Sequence, residues 1–245
     1  MKVCLGAPSS RKFLENEYQH CKYMLDSFYS IQKWLIPIIK KCEFFMLDSG
    51  AFTFINNFKG KVDFDEYLTQ YINFINENDI EHFFELDIDS VAGIEEVERL
   101  RKRLEDETGK KSIPVWHKSR GKQYFIDMCN EYEYVSIGGI VTKEIKPRDY
   151  KDFRWFIDAA HDRGCKIHGL GFTNLKGMKI YNFDSVDSTS WTFGSKFGAL
   201  FLFDGQELKR IDSGNGRRSG ISAEKINRHN YYEWLKFQQY ADTHY

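Results

Sequence analysis

The sequence holds no metal clip, no disulfide framework and no membrane-spanning run. Its five cysteines, Cys4, Cys21, Cys42, Cys129 and Cys165, are odd in number and far apart. Without a CxxC or CxC pair, neither zinc ligation nor a cystine scaffold is indicated, and buried free thiols are expected. No apolar stretch approaches the ~20 residues that a bilayer demands. The N-terminus shows no secretory pattern, so a cytoplasmic protein without membrane association is expected. Charge of one sign is also missing: 35 Lys and Arg face 36 Asp and Glu, a net of −1. That balance excludes a global basic field for nucleic acid, leaving only local patches. With no P-loop and no GxGxxG, no nucleotide or redox cofactor is called for. The four prolines form no linker, and no internal repeat or low-complexity tract interrupts the chain.

What the chain does have is alternation. Eight short apolar runs fall at 3–5, 44–47, 82–86, 113–117, 134–137, 166–170, 183–186 and 199–203. Helical spacing separates most of them: Tyr67, Leu68, Tyr71, Ile72 and Ile75 make one face, and Ile94, Val97, Leu100 and Leu104 another. Trp155, Phe156 and Ala159 mark a helix that Gly164 stops. Strands alternating with helices imply right-handed crossovers and a parallel sheet. At 245 residues the chain matches a single (β/α)8 TIM barrel of class α/β over 1–245, which typically takes about 250. A doubly wound sheet is the alternative. The segment 205–228 is rich in Lys and Arg and reads as a basic loop, and a C-terminal helix follows it.

Acidic residues recur where the apolar runs stop. Phe44-Phe45-Met46-Leu47 ends in Asp48-Ser49-Gly50, Phe83-Phe84-Glu85-Leu86 in Asp87-Ile88-Asp89, and Asn182-Phe183-Asp184-Ser185-Val186 in Asp187-Ser188. In a parallel barrel these ends converge at one mouth, the usual place for an active site. Asp48 and Asp187 taken singly also fit helix N-caps. Asp89 and Asp184 compete with Asp87 and Asp187 for the site positions. His117 and His168 end strands at the same face. A His/Asp metal site is conceivable there, but the spacing carries no ligand signature. No metal is assigned, and substrate contact is preferred for both.

The motifs together resemble the tRNA-guanine transglycosylase superfamily, barrel enzymes that exchange guanine for a 7-deazaguanine. Leu47-Asp48-Ser49-Gly50-Ala51-Phe52 is similar to its DSGGF(Q) motif, and Glu85-Leu86-Asp87 to the strand with the base-recognising aspartate. Ser136-Ile137-Gly138-Gly139 is similar to its GG(L) turn, His168-Gly169-Leu170-Gly171 to its (M)GVG segment, and Phe183–Ser188 to the strand with the nucleophilic aspartate. The resemblance implies Asp187 as nucleophile and Asp48 as acid/base. It implies Asp87 as acceptor for the base edge, the Gly138 and Gly139 amides for the base carbonyl, and Phe52 as stacking platform. Ser49, Gly169, His168 and His117 complete the expected substrate contacts, with Lys118, Arg217 and Arg218 toward phosphate.

Departures narrow the expectation. Ala51 replaces the second motif glycine, and Thr53 stands where glutamine is usual. The family's cysteine-rich zinc motif is absent after Cys165, and no room remains for an appended RNA-binding domain. The chain is therefore closest in style to compact enzymes that insert 7-deazaguanines into DNA, including viral ones acting in host cytoplasm. DNA is the expected substrate and tRNA the alternative, with guanine or a 7-deazaguanine as the exchanged base and a protein partner or homodimer possible. An N-glycosidase and a non-catalytic nucleic-acid-binding barrel are the competing readings.

Overall fold

The structure, a computed structural model, describes residues 1–51, 53, 63–193, 198–212 and 221–245. Eight parallel strands run in sequence: β1 (Lys2–Gly6), β2 (Tyr23–Ser27), β3 (Phe44–Asp48), β4 (His82–Phe83), β5 (Val115–Trp116), β6 (Tyr134–Ile137), β7 (Lys166–Gly169) and β8 (Ser185–Ser188). They pair in the order β4-β3-β2-β1-β8-β7-β6-β5. The two outer members then meet. Phe84 bridges Ile113 in parallel, Ile113 N–H donates to Phe83 O at 2.8 Å, and Glu85 N–H donates to Ile113 O at 3.2 Å. The sheet is a closed (β/α)8 barrel.

One expected strand is not part of it. The 199–203 run supplies β9 (Leu200–Phe203), which pairs antiparallel with β10 (Leu208–Ile211) outside the barrel. Its place is taken by β2. This strand ends in Met24-Leu25-Asp26-Ser27, the same four residues as Met46-Leu47-Asp48-Ser49 at the end of β3. The adjacent copies are offset by one residue, so Asp26 pairs with Leu47 and Ser27 with Asp48. A one-residue offset sends equivalent side chains to opposite faces. Asp26 therefore points outward, accepting from Ser9 N and Ser27 N at 3.0 and 2.9 Å, while Asp48 points into the lumen.

Among the described residues the α-helices are α1 (Glu15–Tyr18), α2 (Ile36–Ile39), α3 (Phe64–Asn78), α4 (Asp89–Ala92), α5 (Ile94–Thr108), α6 (Gly121–Glu131), α7 (Phe153–His161), α8 (Leu175–Ile180) and α9 (Ala223–His244). α3 starts where Asp63 accepts from Glu66 N, and it buries the face formed by Tyr67, Leu68, Tyr71, Ile72 and Ile75. Its two tyrosines also reach the strand ends: Tyr67 OH donates to Ser49 O at 2.6 Å, and Tyr71 OH to Leu47 O and Phe84 O at 3.0 and 3.1 Å. These bonds tie the ends of β3 and β4 to a rigid helix. α9 begins at the Ser222 cap, so the segment 205–228 is part strand and part helix rather than all loop. Its Gln238 is fully buried and bridges β1 and β2, donating to Val3 O at 2.7 Å and Tyr23 O at 2.9 Å.

The seam between the two shortest strands is closed by a side chain. Fully buried Glu85 accepts from Val115 N at 2.8 Å, taking the amide where the ladder stops. The same carboxylate pairs with Arg101 at 2.9 Å and Arg120 at 3.0 Å. Removing one member of a buried ion cluster strands the others, typically at a cost of about 3–5 kcal/mol. Glu85→Ala is therefore expected to lower the unfolding free energy by roughly that amount, read from urea denaturation. An unchanged midpoint would show that the seam holds without the carboxylate.

Candidate active site

Side chains alternate between lumen and helix layer along each strand, and the register sorts the predicted residues. The lumen holds Cys4, Tyr23, Leu25, Met46, Phe84, Ile113 and Val115, with Phe44, Tyr134 and Leu170 against them. His168 pairs with Ser185, Gly169 with Val186, and Cys4 with Asp187. His168, Ser185 and Asp187 thus share the lumen face, with Asp187 nearest the C-terminal mouth. Gly169 points the other way: a Cβ there would meet Val186 Cγ1 at 3.3 Å and Phe172 Cβ at 3.1 Å. Its small size serves packing under the helices, not substrate.

Asp187 is anchored. His168 Nε2 lies 3.2 Å from its Oδ1, and Gly171 N donates to the same oxygen. Gly171 has φ +70°, a backbone conformation that residues with a side chain rarely adopt, so a larger residue would strain the turn that delivers this amide. His168 is fully buried, and its Nδ1 lies 2.5 Å from Ser185 Oγ. Both ring nitrogens are engaged inside the barrel, which removes His168 from the expected substrate contacts. Ser185, His168 and Asp187 share residue types with an acyl-transfer triad. Here, however, the serine is fully buried and the carboxylate faces the mouth, so serine has no access to act as nucleophile.

Asp48 sits on β3 with Gly50 N donating to its Oδ2 at 3.1 Å. Gly50 has φ +68°, and a Cβ would fall 2.3 Å from Ser27 Oγ, so this turn requires glycine. Burial pushes the Asp48 carboxyl up to about 7, the charges of Asp87 and Asp187 add to it, and the Gly50 amide opposes. A carboxyl poised there can give and take a proton at neutral pH.

Asp87 faces His117 rather than open solvent. His117 Nε2 is 2.7 Å from Asp87 Oδ1, and its Nδ1 is 2.9 Å from Glu144 Oε2. Burial works against a charged imidazole, but the bonds to Asp87 and Glu144 and the charges of Asp87 and Asp89 prevail and raise His117 to about 9. The histidine is then a cation clamped between two carboxylates. Glu144 in turn accepts from Ser119 N at 3.2 Å. The Gly-Gly turn makes room for this chain. A Cβ on Gly138 would lie 2.8 Å from His117 Cε1, and one on Gly139 would lie 2.7 Å from Glu144 Oε2. The Gly138 amide itself is committed to Trp116 O at 2.9 Å, so it is not open to a base carbonyl.

Other expectations resolve as follows. Asp89 is tied to Arg120 at 3.0 Å. Asp184 lies before β8 and accepts from Ile167 N at 2.8 Å, with His161 Nε2 at 3.0 Å, at the N-terminal end of the barrel and away from the mouth. Neither displaces its neighbour. Ser49 is buried outside the lumen, its carbonyl held by Tyr67. Lys118 is exposed and lines a 220 Å³ apolar cavity with Trp116, Ile145 and Phe156 outside the lumen. Phe52, Arg217 and Arg218 lie outside the described residues. Larger cavities of 430 and 440 Å³ share Phe44 and His82 at the N-terminal end of the barrel. The convergent carboxylates are at the other end, which makes the mouth the candidate site. Among the described residues, Asp87, Asp89 and His117 bring ligand atoms within 4.8 Å of one another. Arg120, 3.0 Å from Asp89, already places a cation against this cluster, which fits an ion-pair network.

Sequence reasoning passed over Glu144, Ser185 and Tyr134. Only Glu144 had a signal, as an acidic residue shortly after the Gly-Gly turn.

The sequence matches no protein-family model and no curated protein. Among solved structures it is similar to QR15, an aldolase, with a TM-score of 0.50 and 12% identity over 77% of this chain and 89% of that one. It is also similar to the carboxyl transferase domain of Rhizobium etli pyruvate carboxylase, with a TM-score of 0.49 and 15% identity over 98% of this chain and 48% of that one. The first likeness shows the barrel fold. Among the described residues, no helix is long and apolar enough to cross a membrane.

A raised carboxyl has a stability consequence. The native state keeps the Asp48 proton up to about 7, whereas the unfolded chain releases it near an ordinary ~3.9. Stability from this group is present below the unfolded value and lost as pH rises through 7. Asp48→Asn is therefore expected to raise the melting temperature above that of the wild type at pH 8, with the gain shrinking as pH falls from 7 toward 4. A gain independent of pH would contradict the assignment.

Proposed function

We propose that the barrel exchanges a guanine-type base at an N-glycosidic bond of a polynucleotide, inserting a 7-deazaguanine into DNA. The observation that carries this reading is the contrast between two mouth carboxylates, one anchored by N–H donors and one poised near neutrality by burial. A carboxyl held near neutrality suits proton transfer, and a carboxylate fixed in place by donors beside it suits attack on C1′. The order of motifs along the chain supports the same pair.

In the first step an Asp187 oxygen attacks C1′ and the C1′–N bond breaks. Its electron pair leaves with the base, which takes the proton of Asp48. The product is a glycosyl ester of Asp187 and a free base. In the second step the Asp48 carboxylate removes a proton from the entering base, whose nitrogen attacks C1′. The C1′–O bond breaks and regenerates the Asp187 carboxylate. Two displacements retain the anomer, as in retaining glycosidases. Asp87, oriented by His117, is assigned to the donor edge of the base. In duplex DNA the target nucleotide must first leave the stack. Arg217 and Arg218 in the basic segment are assigned to phosphate, which makes binding salt-dependent.

The test is incubation with labelled guanine and, separately, duplex DNA, single-stranded DNA and bulk tRNA. Incorporation into DNA is expected, falling by about 10³-fold or more in Asp187→Ala, as for loss of a nucleophile. Because Asp48 must donate in one step and accept in the other, the wild-type rate should peak near pH 7 and decline on both sides. Incorporation into tRNA alone would move the substrate, and release of base without incorporation would make the protein a hydrolase. Undiminished exchange in Asp187→Ala would overturn the mechanism.

A further inference from the structure

A line of buried hydrogen bonds runs through the barrel to the assigned nucleophile. Tyr134 lines the 440 Å³ cavity at the N-terminal end, and its hydroxyl lies 2.5 Å from Ser185 Oγ. Ser185 Oγ lies 2.5 Å from His168 Nδ1, and His168 Nε2 lies 3.2 Å from Asp187 Oδ1. Ser185 and His168 are completely buried. The surroundings are apolar: Phe84 sits against the imidazole with ring centroids 5.4 Å apart, and Met46, Cys4 and Val115 fill the rest of the lumen. A polar group in such a place costs stability unless it is satisfied. A barrel core of aliphatic side chains would pack without these three groups, so their presence calls for a role.

We propose that Tyr134, Ser185 and His168 form a positioning relay that fixes the imidazole tautomer and thereby the orientation of Asp187. This rests on the base-exchange reading for what Asp187 does, but not for how Asp187 is held. The direction of the bonds follows from the donor inventory. Asp187 accepts, so His168 Nε2 carries the hydrogen. In a neutral ring Nδ1 then accepts, so Ser185 donates to it, and the Ser185 oxygen accepts from Tyr134. With that tautomer each bond sets the direction of the next, and Met46 Sδ, 3.9 Å from Ser185 Oγ, is the weaker competing acceptor for the serine proton. With Gly171 N on the same oxygen, Oδ1 is held by two donors. His168 is thus a positioning residue, in the way that partners behind a metal ligand or a catalytic histidine fix orientation.

Two readouts separate this proposal from the function above. The first needs no activity: nitrogen-15 NMR of the histidine rings, with His168 assigned by its loss in His168→Gln. The relay requires the Nε2–H form of His168 in the wild type and a shift toward the Nδ1–H form in Ser185→Ala. Tyr134→Phe keeps the ring and the serine and serves if Ser185→Ala does not fold; it should shift the same resonances by less. An Nδ1–H form in the wild type, or resonances unmoved in both variants, would overturn the relay. The second readout is exchange. Ser185→Ala is expected to lower kcat by about 10- to 100-fold, the usual effect of removing an orienting partner, with KM for the base unchanged. His168→Gln, which keeps an N–H near Asp187, should retain more activity than His168→Ala. A wild type without exchange but with the expected tautomer would reject the proposed function and leave the relay standing. Exchange with kcat unchanged in Ser185→Ala would reject the relay alone.

Discussion

The Glu85 carboxylate occupies the place where the sheet has the least backbone to close on itself. β4 and β5 are two residues each, and one bridge with its flanking bonds joins them. Glu85 extends the seam by accepting the Val115 amide, and Arg101 and Arg120 neutralise it. Two residues beyond Glu85 comes Asp87, and two beyond Val115 comes His117. The seam therefore sets the distance across which these side chains meet at 2.7 Å. Arg120 also restrains Asp89, which leaves Asp87 as the acid that turns to the mouth.

Every other feature of the site depends on closure. Only a closed barrel brings Asp48 on β3 and Asp187 on β8 close enough for their charges to couple, because β2 and β1 lie between them in the sheet. Closure also makes the lumen a low-dielectric space in which burial can hold a carboxyl near 7. The same space obliges His168 and Ser185 to find partners in one another. The cost of collecting acids at the mouth is met locally by amides: Gly50 N for Asp48, Gly171 N for Asp187 and Ser119 N for Glu144. Glycine recurs there because each turn brings a backbone N–H or a neighbouring side chain where a Cβ would intrude.

Periodicity along the chain made the helices legible, and α3, α5 and α7 lie where their apolar spacing places them. The barrel was legible from alternation, although one strand was not. β2 is preceded by His20-Cys21-Lys22 and has no long helix on either side, so nothing local separated it from a loop. Its duplicate of the β3 tetrapeptide was the available signal. The 199–203 run has strand character but pairs with 208–211, and no local pattern distinguishes a barrel strand from a hairpin. Asp48, Asp87 and Asp187 were legible because acids at the ends of apolar runs are anomalous. Glu144 carried only the signal of an acid shortly after the Gly-Gly turn, and Tyr134 carried none, since a strand tyrosine is ordinary until a serine is found beside it.

The sequence by itself determined the class of fold and the end of the barrel where acids gather. Both follow from hydrophobic spacing and from the cost of burying charge, which act over a few residues. Tertiary structure alone decided which of two identical tetrapeptides points its aspartate into the lumen, because one residue of register between β2 and β3 reverses the face. It alone decided that His168 supports Asp187 and that the Gly-Gly turn accommodates His117 and Glu144. Those outcomes depend on contacts between strands distant in sequence, and no spacing along the chain encodes them.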